Sequence, residues 1–154
     1  MSIVQDEIAI DVPVEAVWET VMDPGRLADW VTIHKSVENF SPLPLRRGAS
    51  MDQAMTVRGI TFHVQWRLTE VDPPYLAHWE GSGPAHSDAL IRYELSSDGA
   101  GGTVFRYTNE FHPPGGRLGS VAGRFIVGAT SERETRASLL RLKRLLEDVL
   151  HPEN

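Results

Sequence analysis

From Ala49 the apolar residues fall on alternate positions. Ala49, Met51, Met55 and Val57 share one parity, while Ser50, Asp52, Thr56 and Arg58 mostly occupy the other, which is the pattern of a half-buried strand. Arg58-Gly59 marks a turn into a second run, in which Ile60, Phe62, Val64, Trp66 and Leu68 alternate with Thr61, His63, Gln65, Arg67 and Thr69. Asp72-Pro73-Pro74 turns the chain again before Leu76 to Glu80. Glycine-rich breaks at 81–84 and 98–102 then bound the runs Ala89, Ile91, Tyr93, Leu95 and Phe105, Tyr107, Asn109, Phe111. Alternating runs separated by turns predict an antiparallel meander. Ahead of it, Ile3 to Ile10 is rich in β-branched residues and predicts a strand that Pro13 stops. Val12-Pro13 opens a helix, because proline suits the first helical turn, and Val14, Val17, Trp18 and Val21 give it an apolar stripe. That helix ends at Asp23-Pro24-Gly25. A short second helix through Leu27, Ala28 and Trp30 comes next, then a strand over Val37 to Phe40.

His112-Pro113-Pro114-Gly115-Gly116 closes the meander, and from Arg117 or Leu118 no proline occurs until Pro152, which predicts one long helix. Its inward positions read as Leu118, Val121, Ala122, Phe125 and Ala129 early and Leu139, Leu142, Leu146, Val149 and Leu150 late. The expected class is α+β: a curved antiparallel sheet of about six to seven strands wrapped on a long C-terminal helix, with two short helices after the first strand. A sheet that curls around a single helix tends to leave a space between them.

Composition narrows the picture. The chain has 154 residues, within the span of one domain, so residues 1–154 are read as a single domain. Zero cysteines exclude disulfides, thiolate metal sites and thiol nucleophiles, and fit a reducing, cytoplasmic setting. A formal net charge of −6 argues against nucleic acid and anionic membrane surfaces. No apolar run approaches the length a membrane span needs, so no membrane insertion is expected. The six histidines form no His-Glu-x-x-His pattern and have no cysteine partners, so no metal and no cofactor are expected. Neither a Gly-x-Ser-x-Gly elbow nor a phosphate loop is present.

The segments Ile8 to Trp18 with Asp23-Pro24, then Trp30, Glu70-Val71-Asp72-Pro73-Pro74, Gly102-Thr103 and Thr135-Arg136-Ala137 resemble the START-like (SRPBCC) superfamily with the helix-grip fold. That superfamily includes polyketide cyclases and aromatases, pathogenesis-related plant proteins and lipid-transfer domains. The resemblance covers nearly the whole chain. It implies a ligand cavity between sheet and helix, and it carries binders, transfer proteins and enzymes alike, so function must be argued from the site.

An aromatic stripe at strand period is by itself a core pattern; with the resemblance it becomes a cavity wall. The expected lining is Met51, Gln53 and Met55 on one strand, Phe62 and Trp66 on the next, and Tyr93, Phe105, Tyr107 and Asn109 beyond. Trp30 and His34 close it from the short-helix side, and Phe125, Ala129 and Glu132 from the long helix. Gln53 and Asn109 stand out, since burying an amide without a partner costs a few kcal/mol. Glu132, with Arg136 one turn on, is the first acid/base candidate. The resemblance to aromatase/cyclases adds Arg67, aligned with a pocket arginine proposed there as a proton donor, and His34, near a pocket tyrosine. Tyr107 completes the set. The strand after Gly59 stays open between two registers: apolar parity puts Phe62, Val64, Trp66 and Leu68 inward, whereas the aromatase/cyclase register puts Thr61, His63, Gln65 and Arg67 inward.

The leading expectation is binding of a small hydrophobic ligand (lipid, aromatic or polyketide-like) by a monomer or homodimer. The second is a polyketide aromatase/cyclase or dehydratase in which Glu132, Arg67, His34 or Tyr107 moves protons in the same cavity. The third is a partner-binding or co-chaperone role.

Overall fold

The computed structural model describes residues 2–112 and 132–150. Strand β1 (Ser2–Ile10) leads into α1 (Val14–Val21), a 3-10 turn (Pro24–Arg26) and α2 (Leu27–Trp30). Then come β2 (His34–Glu38), β3 (Ser50–Val57), β4 (Ile60–Asp72), β5 (Leu76–Ser82), β6 (Asp88–Ser97) and β7 (Thr103–His112), and finally α3 (Glu132–Leu150). The seven strands form one curled antiparallel sheet in the order β1-β7-β6-β5-β4-β3-β2, so the first strand crosses to pair with the last and the meander fills the rest.

Local chemistry explains the boundaries. Pro13, at φ −62°, stands before α1 and offers its carbonyl to the amides of Ala16 and Val17, while Val14, Val17 and Val21 are buried. Asp23 accepts from the Gly25 amide at 2.9 Å, which starts the turn that aims α2. Between β3 and β4, Arg58 and Gly59 both have positive φ (51° and 81°), the backbone of a two-residue hairpin whose twist matches the flanking strands. Strand β2 begins and ends earlier than the expected Val37 to Phe40, because Asn39 turns at φ 51° and leaves Phe40 exposed.

On β4 the apolar parity prevails. Phe62, Val64, Trp66 and Leu68 face the core, and His63, Gln65 and Arg67 are exposed on the other face. The pairing with β5 shifts by one residue between Leu68 and Glu70, a bulge that bends the strand and re-aims its last residues; Val71 then packs inward in its turn.

Helix α3 lays Leu139, Leu142 and Leu146 into the core, all buried. Val149, expected on the same stripe, is 66% exposed, because it sits in the last turn beyond the cover of the sheet. The expected earlier half of this helix, with Phe125 and Ala129, lies outside the described residues. Along the sheet edge, α3 takes up outward backbone groups of β1: Lys143 Nζ donates to the Ala9 carbonyl at 2.8 Å and Arg136 Nη1 to the Glu7 carbonyl at 3.1 Å. The Asp11 amide just beyond the strand donates to Glu147 at 2.8 Å.

Candidate ligand cavity

Where sheet, α2 and α3 meet, the core is not filled. A cavity of about 80 Å³ remains, several times the roughly 10–15 Å³ that one water needs on the same measure. Its walls are mostly apolar: Met51, Met55, Phe62 and Trp66 on the β3–β4 side, Ile91 and Phe111 opposite, and Leu27, Trp30 and Leu139 from the helices. The β5–β6 connection contributes Gly83, Pro84 and Ser87, and Asp88 joins them at the start of β6. The empty space follows from side-chain size. Gly81 lies opposite Trp66 in the pairing, and a Cβ there would stand 2.6 Å from the indole, so the missing side chain gives the ring room against β5.

Polar groups in the walls form three sets. In the first, Trp66 Nε1 donates to Gln53 Oε1 at 2.8 Å, and Gln53 Nε2 meets His34 Nδ1 at 2.8 Å. An indole nitrogen only donates, so it fixes which end of the Gln53 amide is oxygen, and the NH₂ end must then donate to His34 Nδ1. The neutral imidazole therefore carries its proton on Nε2. Protonating Nδ1 would set two donors against each other, in accord with the His34 pKa, which burial lowers from the ordinary 6.5. Gln53 lines the cavity, but His34 stands behind it on β2 and does not.

The second set ties the α2–β2 connection to α3. Thr32 Oγ1 donates to Glu134 Oε2 at 2.6 Å, and the Thr32 amide donates to Ser138 Oγ at 3.1 Å. All three residues border the cavity, so the contact between the two helical segments is also part of its wall.

The third is aromatic. Tyr93 and Tyr107 are directly paired across β6 and β7, with ring centroids 6.0 Å apart and planes at 32°. Trp30 and Phe105 pack against Tyr93 at 6.1 and 5.4 Å. Asn109 Nδ2 donates to the Tyr107 hydroxyl oxygen at 3.0 Å. Burial pushes the Tyr107 phenol up to about 12, and burial together with the neighbouring Tyr107 raises Tyr93 as well, so both remain neutral donors at ordinary pH. Two further buried atoms in lining residues, Trp30 Nε1 and Thr135 Oγ1, have no hydrogen-bond partner among the described residues, each costing about 1–3 kcal/mol.

Of the residues expected to line the cavity, Trp30, Met51, Gln53, Met55, Phe62, Trp66, Tyr93, Tyr107 and Asn109 border it. Phe105 is fully buried behind Trp30 and Tyr93 and supports the wall rather than forming it. Arg67 is exposed on the outer face of β4, which follows from its parity with Trp66. Glu132 is exposed a turn ahead of Thr135, the first buried position of α3. Arg136 does not pair with Glu132 among the described residues; it turns to Asp6 at 3.4 Å. Four α3 residues do border the space, Glu134, Thr135, Ser138 and Leu139; the apolar stripe accounts for Leu139 alone, and the other three were not expected in the wall. Their signal was the small polar pair Thr135 and Ser138, spaced i,i+3 beside an apolar stripe. Among the charged side chains of the described lining, Asp88 and Glu134 are acidic and none is basic. No group of three or more metal-ligating side chains comes together among the described residues, and no helix there is long and apolar enough to cross a membrane.

A curled seven-stranded sheet gripping one helix around an apolar cavity defines a helix-grip protein. The chain belongs to the polyketide cyclase/dehydrase and lipid transport family, whose model matches residues 1–147. Among curated relatives, the uncharacterized protein Rv1546 of Mycobacterium tuberculosis (strain ATCC 25618 / H37Rv) is 28% identical over 129 residues, spanning 79% of this chain and 87% of its own. Toxin Rv0910 of the same strain is 26% identical over 83 residues, 54% of this chain and 58% of its own. Among solved structures, the Zhui aromatase/cyclase from Streptomyces sp. R1128 superposes with a TM-score of 0.76 at 18% identity, covering 99% of this chain and 98% of that one. TTHA0849 from Thermus thermophilus gives 0.76 at 13% identity, covering 96% and 99%. At these identities the likeness is one of fold.

Proposed function

We propose that this protein binds a small, neutral, mainly apolar molecule between sheet and α3. The observation that carries this reading is the unfilled 80 Å³ space, walled by aromatic and aliphatic side chains where dense packing is the rule for a core. A guest recovers the dispersion contacts that an empty space forfeits. The absence of a basic side chain from the described lining favours a neutral guest over an anionic one. Native mass spectrometry of freshly purified protein is the direct test, followed by thermal melts against small aromatic compounds. Saturation at 100 times Kd adds about 2.7 kcal/mol, a rise of roughly 5–10 °C for a chain of this size. No retained molecule and no concentration-dependent rise with any apolar compound would overturn the proposal.

The family and the fold shared with an aromatase/cyclase support a second reading, catalysis on a guest in the same space. Of the four candidate proton carriers, Tyr107 alone borders the cavity, and its raised pKa suits a hydrogen-bond donor better than a base. Binding is therefore the primary reading. Loss of product formation in Tyr107→Phe with retained affinity would move the weight to catalysis.

A further inference from the structure

Hydrogen-bonding capacity in the aromatic corner is lopsided. Tyr93 and Tyr107 project from directly paired positions, so both side chains leave the same face of the sheet, and both border the cavity. The Tyr107 oxygen accepts from Asn109, which leaves its own hydrogen to be donated elsewhere. Tyr93 is only 5% exposed, and its hydroxyl has no hydrogen-bond partner among the described residues. Trp30, packed on Tyr93, adds an indole N–H that also lacks an acceptor among them. The two hydroxyls and the indole N–H are thus donors with no matching acceptor among the described residues. A carbonyl oxygen has two lone pairs and accepts two such hydrogen bonds at once, whereas a hydrocarbon leaves every donor unsatisfied.

Resting on the binding function proposed above, we infer that Tyr93 and Tyr107 act as a paired hydroxyl clamp selecting guests with a neutral acceptor oxygen, such as a ketone, aldehyde or quinone carbonyl, on an otherwise apolar ring. The oxygen seats between the two hydroxyls, and the ring extends towards Met51, Met55 and Phe62. A carboxylate is a poorer guest, because the described walls supply donors but no cation.

The test compares 1-indanone with indane, two compounds of nearly equal shape that differ in the carbonyl, by titration calorimetry or ligand-observed NMR on the whole chain. Wild-type protein is expected to bind the ketone about tenfold more tightly, the effect of roughly 1.4 kcal/mol from the added hydrogen bonds. Y93F and Y107F should each lose most of that preference, read as the ratio of ketone to indane affinity within each variant, and the infrared carbonyl stretch of bound indanone should lie below its value in hexane. Equal affinity for the two compounds in wild-type protein would overturn the clamp and leave hydrophobic binding standing. Failure of both compounds to bind would overturn the clamp together with the function it rests on. Should either variant also lose indane, the wild-type ratio and the carbonyl stretch decide: a tenfold ratio with a lowered stretch supports the clamp, and an unshifted stretch overturns it.

Discussion

Replacing Gln53 with leucine should destabilise the protein through two neighbours. The amide bridges Trp66 Nε1 and His34 Nδ1, each at 2.8 Å, and both Gln53 and Trp66 are buried, at 5% and 3% exposure. Leucine leaves the indole N–H unpaired in a place water reaches poorly, which costs about 1–3 kcal/mol. The half-buried His34 loses a neutral donor but regains solvent, worth about 0.5–1 kcal/mol more. The sum is roughly 1.5–4 kcal/mol, read as a fall in the urea midpoint at unchanged slope. The orphaned indole is the larger share, so removing it as well should restore part of the loss. In a double-mutant cycle, Q53L/W66F should cost less than the two single changes together, by roughly 1–2 kcal/mol, once the packing loss common to W66F is subtracted. Additive single and double variants, or a Q53L protein within about 0.5 kcal/mol of wild type, would refute the bridge and the tautomer assigned to His34 with it.

Stability should also depend on His34 charge. Its pKa is lowered in the folded chain, so the unfolded chain binds more protons between that value and about 6.5. Its contribution is then complete above about pH 6.5 and lost as pH falls through the window towards the folded-state pKa; urea unfolding between about pH 5 and 8 should show this slope in wild type and a shallower one in H34N. Leu142 is fully buried on α3, and L142A should cost about 2–5 kcal/mol by the cavity it opens, measured as the fall in urea midpoint. In G81A the new methyl meets the Trp66 ring at 2.6 Å, so it should destabilise by about 1–3 kcal/mol and push the indole into the guest space, seen as weaker binding of any apolar compound.

Period-two alternation made most of the sheet legible before any coordinates, because each strand has one face on the core and a single slip would turn every side chain over. The competing register of β4, which placed Arg67 inside, fails for that reason: burying an arginine and three further polar groups while exposing Trp66 and Leu68 reverses the hydrophobic balance. The bulge at Leu68 and Glu70 and the early start of β2 were not legible, since both are set by pairing with neighbours rather than by local preference. Helical positions were harder still. A wheel drawn at about 100° per residue puts Glu132 near the line of Leu139, yet says nothing about where the covering sheet ends. The wheel does not say that α2 packs beside α3 and draws Thr32 onto Glu134 and Ser138. Gln53 was singled out as a polar group on an apolar face, but its bridging role depends on two partners far apart in the chain.

The pairing of α3 with β1 has an implication for assembly. The outer rim of a sheet is a ready template for another extended chain, and here the Glu7 and Ala9 carbonyls on that rim are already occupied by Arg136 and Lys143. A chain cut short before the helix would bare those acceptors together with the apolar surface under Leu139 and Leu142, and so would be prone to fibrous aggregation that the intact chain resists.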